Sequence, residues 1–253
     1  MDAAGAILEA RRVRRLLNPL GALAPVNEAA GYAVQRDLAE RLGALPPAGF
    51  KIGATTQRMQ EYLGLSGPAA GFVAAAGLHR DGAVLRHADF LAPGVECEIA
   101  VRLGGDLPPG PCTQAEAEAA VAELFPAIEV VERRYADLPA LGAPTLIADQ
   151  VFHAAGVPGT PVQGWRQLDL DAVRGVLRVD GAERGVGFGR DLLGHPLAAL
   201  AWLAGSGAAL AFGGLRAGQV VFLGSVTLPV WLDGPAAVEV EFEGLGRVGL
   251  RFA

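Results

Sequence analysis

The chain has 253 residues, a formal net charge of −6, 51% hydrophobic residues and a mean hydropathy of +0.33. That length and apolar content suit one large domain, or a core with a smaller helical attachment, and exclude a disordered chain. The acidic balance offers no attraction to nucleic acid or anionic lipid, and two cysteines, Cys97 and Cys112, make neither a thiolate metal pattern nor a disulfide framework.

The opening Met1-Asp2-Ala3-Ala4-Gly5 has no basic segment followed by an apolar one, so no secretion signal is expected and the cytoplasm is the default compartment. Up to about residue 90 the pattern reads mostly as helix. Ile7, Leu8, Leu16 and Leu17, with Arg11, Arg12, Arg14 and Arg15, predict one amphipathic helix whose arginines form a solvated face. Asn27 is placed to cap a second helix through Ala33, Leu38 and Leu42, ended by Gly43 and Pro46-Pro47. Thr55 or Thr56 would cap a third, with Met59 and Tyr62 as core residues and Gly64 as its stop. Between the second and third helices lies Gly49-Phe50-Lys51-Ile52-Gly53. A lysine between apolar residues and glycines is poor surface decoration. Burial favours its neutral form, the form that takes up a proton, and the glycines let a ligand approach the backbone. Phosphate-loop spacing is absent.

Beyond residue 90 the pattern turns strand-rich. Glu96 to Leu103 predicts a strand, Thr113 to Phe125 a helix stopped by Pro126, and Ala127 to Glu132 another strand. Val176 to Val179 and Gly185 to Phe188 flank the hairpin signal Asp180-Gly181. His195 to Phe212 predicts a helix, and Val220 to Leu223, Ala237 to Phe242 and Val248 to Phe252 predict strands. Pro196 to Leu215 bears no charge and approaches the length that spans a bilayer. Its alanines and glycines, and the absence of flanking charge asymmetry, predict a buried helix instead. Strands outnumber helices here without regular alternation, which favours a closed or rolled mixed sheet over a doubly wound one.

The chemistry concentrates in Gly94-Val95-Glu96-Cys97-Glu98-Ile99-Ala100-Val101. Along a strand Glu96 and Glu98 point to one face and Cys97 to the other. Two buried carboxylates on one face repel and lose hydration, so a positive group is expected between them. Glu129, in Pro126-Ala127-Ile128-Glu129-Val130-Val131, is a third carboxylate in apolar surroundings. Together they describe an oxygen-ligand site for a hard divalent cation. Asp149-Gln150 follows an apolar run, and Gly224-Ser225-Val226-Thr227 offers hydroxyls and backbone N–H groups to a carboxylate. Ser225 lacks a nucleophile elbow. His195 reads as a helix-terminal residue bonded to nearby backbone, and His79, His87 and His153 lack ligand spacing and read as structural.

Gly49 to Gly53, Glu96-x-Glu98, Ile128-Glu129-Val130-Val131, Ala148-Asp149, Leu193-Gly194-His195-Pro196-Leu197 and Gly224-Ser225 occur in one order. In that order they resemble the 2-keto-4-pentenoate hydratase and 4-oxalocrotonate decarboxylase family of the fumarylacetoacetase superfamily, from about residue 30 onward. The resemblance implies an α+β fold, a mixed β-roll with surrounding helices. Residues 1–75 would be a mainly helical N-terminal region and 76–253 the catalytic roll, as two units or one continuous domain. It also implies a lyase of small unsaturated 2-oxo acids, assembled as a homo-oligomer, with neither nucleic acid nor membrane as partner. Glu96, Glu98 and Glu129 would hold Mg²⁺ or Mn²⁺, Lys51 would move the proton, and Gly53, Ser225 and Thr227 would lie at the substrate. Family hydratases commonly carry Asp where this chain has Ala69, and decarboxylases carry an apolar residue followed by Gly-Phe, as in Gly71-Phe72. Two other readings are a fumarylacetoacetase-type C–C hydrolase, which wants an N-terminal His that is missing before His79, and a non-catalytic assembly partner. Retention of Lys51 and all three glutamates argues against the second.

Overall fold

The computed structural model describes residues 1–253. Helices α1 (Ala3–Arg12) and α2 (Glu28–Arg41) come first, then β1 (Gly49–Gly53), α3 (Gln57–Leu63), β2 (Ala69–Val73) and β3 (Ala83–Leu85). The middle of the chain forms β4 (Pro93–Leu103), α4 (Gln114–Ala120), β5 (Val121–Glu132), α5 (Leu138–Leu141), α6 (Ala143–Ala148) and β6 (His153–Pro158). The remainder forms β7 (Arg174–Val179), β8 (Ala182–Phe188), α7 (Pro196–Ala204), α8 (Gly207–Phe212), β9 (Val220–Ser225), β10 (Val230–Trp231), β11 (Ala236–Phe242) and β12 (Gly246–Phe252).

Two sheets carry the architecture. One runs β2-β1-β9-β4-β5-β6, with β10 added along β4; the other runs β3-β12-β11-β7-β8. Strands β11 and β12 pack on β4 and β5, so the central strands are covered by the second sheet and by helices. That burial explains why β4 and β5 read as apolar runs. The strands β1 and β2, although they fall before residue 75, are hydrogen-bonded into the larger sheet, β1 lying parallel to β9. The boundary expected at residue 75 therefore does not coincide with a break in the sheet.

Local signals explain most helix ends. Asn27 accepts from the Ala30 N–H and Thr56 from the Met59 N–H, capping α2 and α3 as expected. The helix expected over Thr113–Phe125 ends at Ala120 instead, after a capping box formed by Thr113 and Glu116. From Val121 onward the chain pairs with β4, and apolar burial in the sheet overrides continuation of the helix. Pro126 therefore sits inside a strand. Its carbonyl accepts from Gly159, just past the end of β6, where a missing N–H costs no ladder bond.

Three other expectations change. The uncharged segment after His195 is two helices, broken at Gly205-Ser206 where Ser206 caps α8. No helix is long and apolar enough to cross a membrane. The first helix stops at Arg12, before Leu16 and Leu17, and Arg11 is not on a solvated face: it reaches inward to Asp149 and Gln150. Tyr62 is 71% exposed and not a core residue, although Met59 on the same helix is half-buried.

Candidate metal and substrate site

The three glutamates converge because β4 and β5 pair antiparallel with Glu96 directly opposite Glu129. Residues i and i+2 of one strand share a face, so Glu98 joins them there. One carboxylate oxygen from each lies within 4.8 Å of the others. Glu98 and Glu129 have no exposed surface, and Glu96 is half-buried at the opening of a cleft. Glu98 Oε2 accepts the Gly224 N–H at 3.0 Å. Gly224 has φ +110°, and a Cβ there would meet Thr55 Cγ2 at 2.5 Å, so only glycine brings this N–H to Glu98.

Lys51, on the neighbouring β1, is buried at 2% exposure. It is the only lysine in the chain. Its Nζ donates to the Val151 carbonyl at 2.5 Å and lies 3.4 Å from Glu129 Oε1. A side chain at Gly53 would come within 3.2 Å of that amine, so the glycine leaves room at Nζ. The Val151 carbonyl comes from a rare stretch: Gln150, Val151 and Phe152 all have positive φ, between 50° and 67°. Each such residue costs on the order of 1–3 kcal/mol and persists only where its surroundings over-determine it. Here Asp149, just before the turn, is clamped by Arg11 and Arg134, and Gln150 Nε2 donates to the Phe72 carbonyl.

His153, read from sequence as structural, belongs to this site. Its Nδ1 lies 2.8 Å from Glu129 Oε1 and its ring is buried. With Glu129 ionised the ring donates from Nδ1, which leaves Nε2 as an acceptor without a partner. Spacing among the histidines could not find it, because β6 brings His153 to Glu129 only through pairing with β5. His195 behaves as expected, capping α7 by accepting the Leu197 N–H.

Electrostatics separate the three carboxyls. Burial, then the charge of Glu129, pushes the Glu96 carboxyl up to about 8. Burial and the two neighbouring carboxylates raise Glu98 well above the usual range. Burial also works against ionisation of Glu129, but Lys51 and His153 outweigh it and hold that carboxyl below its ordinary value. Glu98 Oε1 and Glu129 Oε2 remain buried with no hydrogen-bond partner. Unsatisfied buried carboxylate oxygens cost several kcal/mol, on the order of 1–3 kcal/mol or more each.

Glu96 faces a cleft of two lobes. The more polar of the two, about 510 Å³, is lined by Gly53, Ser225, Thr227, Arg184 and Asp191 among others. The other, about 440 Å³, is mainly apolar, with Lys51 beside Glu96 at its inner end. Ser225 Oγ donates to the Thr227 carbonyl at 2.8 Å and accepts the Thr227 N–H at 3.2 Å, so the two form one tight turn at the wall. Lys51, Gly53, Glu96, Ser225 and Thr227 thus line one cleft, with Glu98 and Glu129 buried behind Glu96. Ala69 pairs with Gly53 on the buried side of the same sheet.

The description "Fumarylacetoacetate (FAA) hydrolase C-terminal" matches residues 55–253. A 2-keto-4-pentenoate hydratase of Burkholderia vietnamiensis is 34% identical over 98% of this chain and 95% of that protein. A 4-oxalocrotonate decarboxylase of Pseudomonas putida is 29% identical over 81% of this chain and 76% of that one. Among solved structures, 4-oxalocrotonate decarboxylase from Pseudomonas putida G7, complexed with magnesium and adipate, superposes with a TM-score of 0.90 at 26% identity. That match covers 99% of this chain and 96% of the other. The matched span and the near full-length likeness to these enzymes agree with the order of motifs along the sheet, and the chain belongs to the fumarylacetoacetate hydrolase C-terminal family.

Proposed function

We propose that this chain is a divalent-metal-dependent lyase of small unsaturated 2-oxo acids, of the 2-keto-4-pentenoate hydratase and 4-oxalocrotonate decarboxylase type. The observation that carries the reading is the convergence of three carboxylates, two with orphaned buried oxygens, beside the only lysine of the chain. An all-carboxylate oxygen set suits Mg²⁺ or Mn²⁺ and disfavours softer metals. Held by Glu96, Glu98 and Glu129, such a cation supplies Lewis-acid stabilisation of the charge that develops on the substrate's 2-oxo oxygen.

The remaining work falls to side chains. Lys51 Nζ moves the proton to and from the substrate's carbon chain, positioned by the Val151 carbonyl and by Glu129. Gly53 keeps the space at Nζ open for substrate. Ser225 and Thr227 border the polar lobe and receive the acid's 1-carboxylate there. His153 orients Glu129 through Nδ1. Ala69 supplies no group that could orient water, so a hydration reaction would have to draw on another side chain. We read the two packed sheets as the family's mixed β-roll, and assign the protein to the cytoplasm as a homo-oligomer.

The test is to incubate the Mg²⁺- or Mn²⁺-loaded protein with a 2-hydroxydienoic acid and with an oxo-enedioate, following water addition and CO₂ release. Turnover of either, abolished by chelator and restored by metal, supports the reading. Inertness toward both in the presence of either metal overturns it.

A further inference from the structure

We infer that Arg133 recognises a second carboxylate at the far end of the substrate, so that the acid this enzyme selects is a dicarboxylic 2-oxo acid. The inference rests on the lyase reading above for one point, that the 2-oxo end of the ligand lies beside Glu96 and Lys51. Apart from those two residues, Arg133 is the only charged residue lining the apolar lobe, whose other walls include Met59, Leu63, Val131 and Phe152. A short unsaturated chain would lie along those walls and end at the guanidinium.

Arg133 is a cation held ready and unpaired. Its neighbour takes the nearby carboxylates: Arg134 pairs with Glu132 at 3.6 Å and with Asp149 at 2.6 Å, whereas Arg133 makes no ion pair. The guanidinium instead stacks on Trp231, with Cζ 4.1 Å from the ring centroid. Trp231 can lie against the sheet because its partner on β4 is Gly94, where a Cβ would meet the indole at 2.7 Å. The backbone is pinned as well, with the Arg133 N–H donating to the Ala92 carbonyl at 2.9 Å. Stacking restrains the plane of the guanidinium and leaves its fork of N–H donors for a bidentate carboxylate. An acid ending in a methyl or vinyl group would make no contact with that fork, which stays open to solvent. Charge complementarity at this end of the lobe therefore discriminates between one-carboxylate and two-carboxylate acids. The polar lobe also contains an arginine, Arg184, but that lobe takes the 1-carboxylate, which both classes of acid carry, so Arg184 does not distinguish them. Because a guanidinium holds a carboxylate and has no such hold on a neutral end group, Arg133 acts on binding and so on KM.

The experiment measures calorimetric binding of two saturated, unreactive acids, 2-oxoadipate and 2-oxopentanoate, to the Mg²⁺-loaded protein. The expected result is a preference for 2-oxoadipate of about 10- to 100-fold, the range of a charge-assisted bidentate contact. Arg133→Gln should erase that preference by weakening 2-oxoadipate alone. Arg133→Lys should restore part of it and serves as the second variant if the first fails to fold. Arg184→Gln should leave it intact. Equal binding of the two acids by the unaltered protein overturns the inference, as does parallel weakening of both acids by Arg133→Gln or loss of the preference in Arg184→Gln. If neither acid binds, the site reading and the inference fall together. If the preference holds but neither a dienoic nor an enedioic acid is turned over, the lyase reading falls and the dicarboxylate assignment stands.

Discussion

Two buried charge clusters lie on either side of the turn at residues 149–153, and they are built on opposite rules. In the first, Asp149 is enclosed between Arg11 and Arg134. Both carboxylate oxygens accept from guanidinium groups, and the Asp149 carbonyl accepts from both arginines as well. In the second, three glutamates share one lysine and one histidine, and two carboxylate oxygens have no partner. The first cluster is electrostatically complete, and its effect is to hold a strained turn whose carbonyl grips Lys51. The second leaves two buried oxygens unpaired within the chain, a cost that a bound cation would remove. Buried charge alone therefore does not mark a site; an unbalanced set with orphaned atoms does.

The strongest attack on this contrast is removal of one carboxylate. Glu96→Gln or Glu98→Gln is expected to abolish Mg²⁺ binding and lower kcat/KM by about 1,000-fold or more, in line with loss of an electrostatic centre. The metal-free variant should melt no lower than the metal-free parent, because a carboxyl whose ionisation burial and its neighbours oppose has gone. Normal turnover by either variant would refute the metal assignment. Lys51→Ala is expected to keep the metal while exchange of the substrate's carbon-bound protons with solvent deuterium slows by about 100- to 10,000-fold. An unchanged exchange rate removes Lys51 from proton transfer.

Asp149→Asn probes the complete cluster. It leaves Arg11 without its counter-charge and Arg134 with only the longer pair to Glu132, and should cost about 3–5 kcal/mol in denaturant unfolding, the scale for breaking a buried ion pair. Metal stoichiometry should stay at the parent value. A variant as stable as the parent, or one that lost metal first, would mean that the two clusters are not distinct in kind.

The smallest expected effect is on pH. Glu96 has its folded value raised above the ordinary 4.5, to about 8, by burial and by Glu129. A raised carboxyl contributes stability that is complete below the ordinary value and lost as pH rises through the folded one. The melting temperature of the metal-free protein should therefore decline between pH 4.5 and about 8, and added Mg²⁺ should flatten the decline. Asp149 is the opposite case. Burial disfavours its charge, but Arg11 and Arg134 prevail and lower its folded value, so its contribution is lost only on acidification below the ordinary carboxylate range. A metal-free melting profile that rises over the first window would break the contrast.

Much of the site is legible one residue at a time. Glu96 and Glu98 announce a shared face through their spacing, Glu129 through its apolar neighbours, and Lys51 through its glycines. That Lys51 is also the only lysine is a signal a residue count alone reveals. Helix caps at Asn27, Thr56 and Thr113 are local and equally legible. The misses share a cause. His153 reaches Glu129 only because β6 pairs with β5, and Arg11 turns inward only because Asp149 waits for it 138 residues later. The helix expected through Phe125 gives way to strand because β4 supplies a partner for every residue of that stretch but Ala122. Tyr62 has helical spacing and an apolar ring, yet it stands at the cleft wall because α3 lies over the opening rather than in the core.

By itself, then, the amino-acid sequence determined the three candidate carboxylates, the lysine, the turn chemistry and the family likeness, all of which depend on residue type and near spacing. Only the tertiary structure decided which charges meet. Register across strands set Glu96 opposite Glu129, non-local pairing carried His153 to Glu129 and Val151 to Lys51, and the Gly94–Trp231 contact seated the ring on which Arg133 stacks. The physical reason is that an ionic or hydrogen-bonded contact depends on positions a few ångströms apart, and chain spacing constrains these only within one helix or strand.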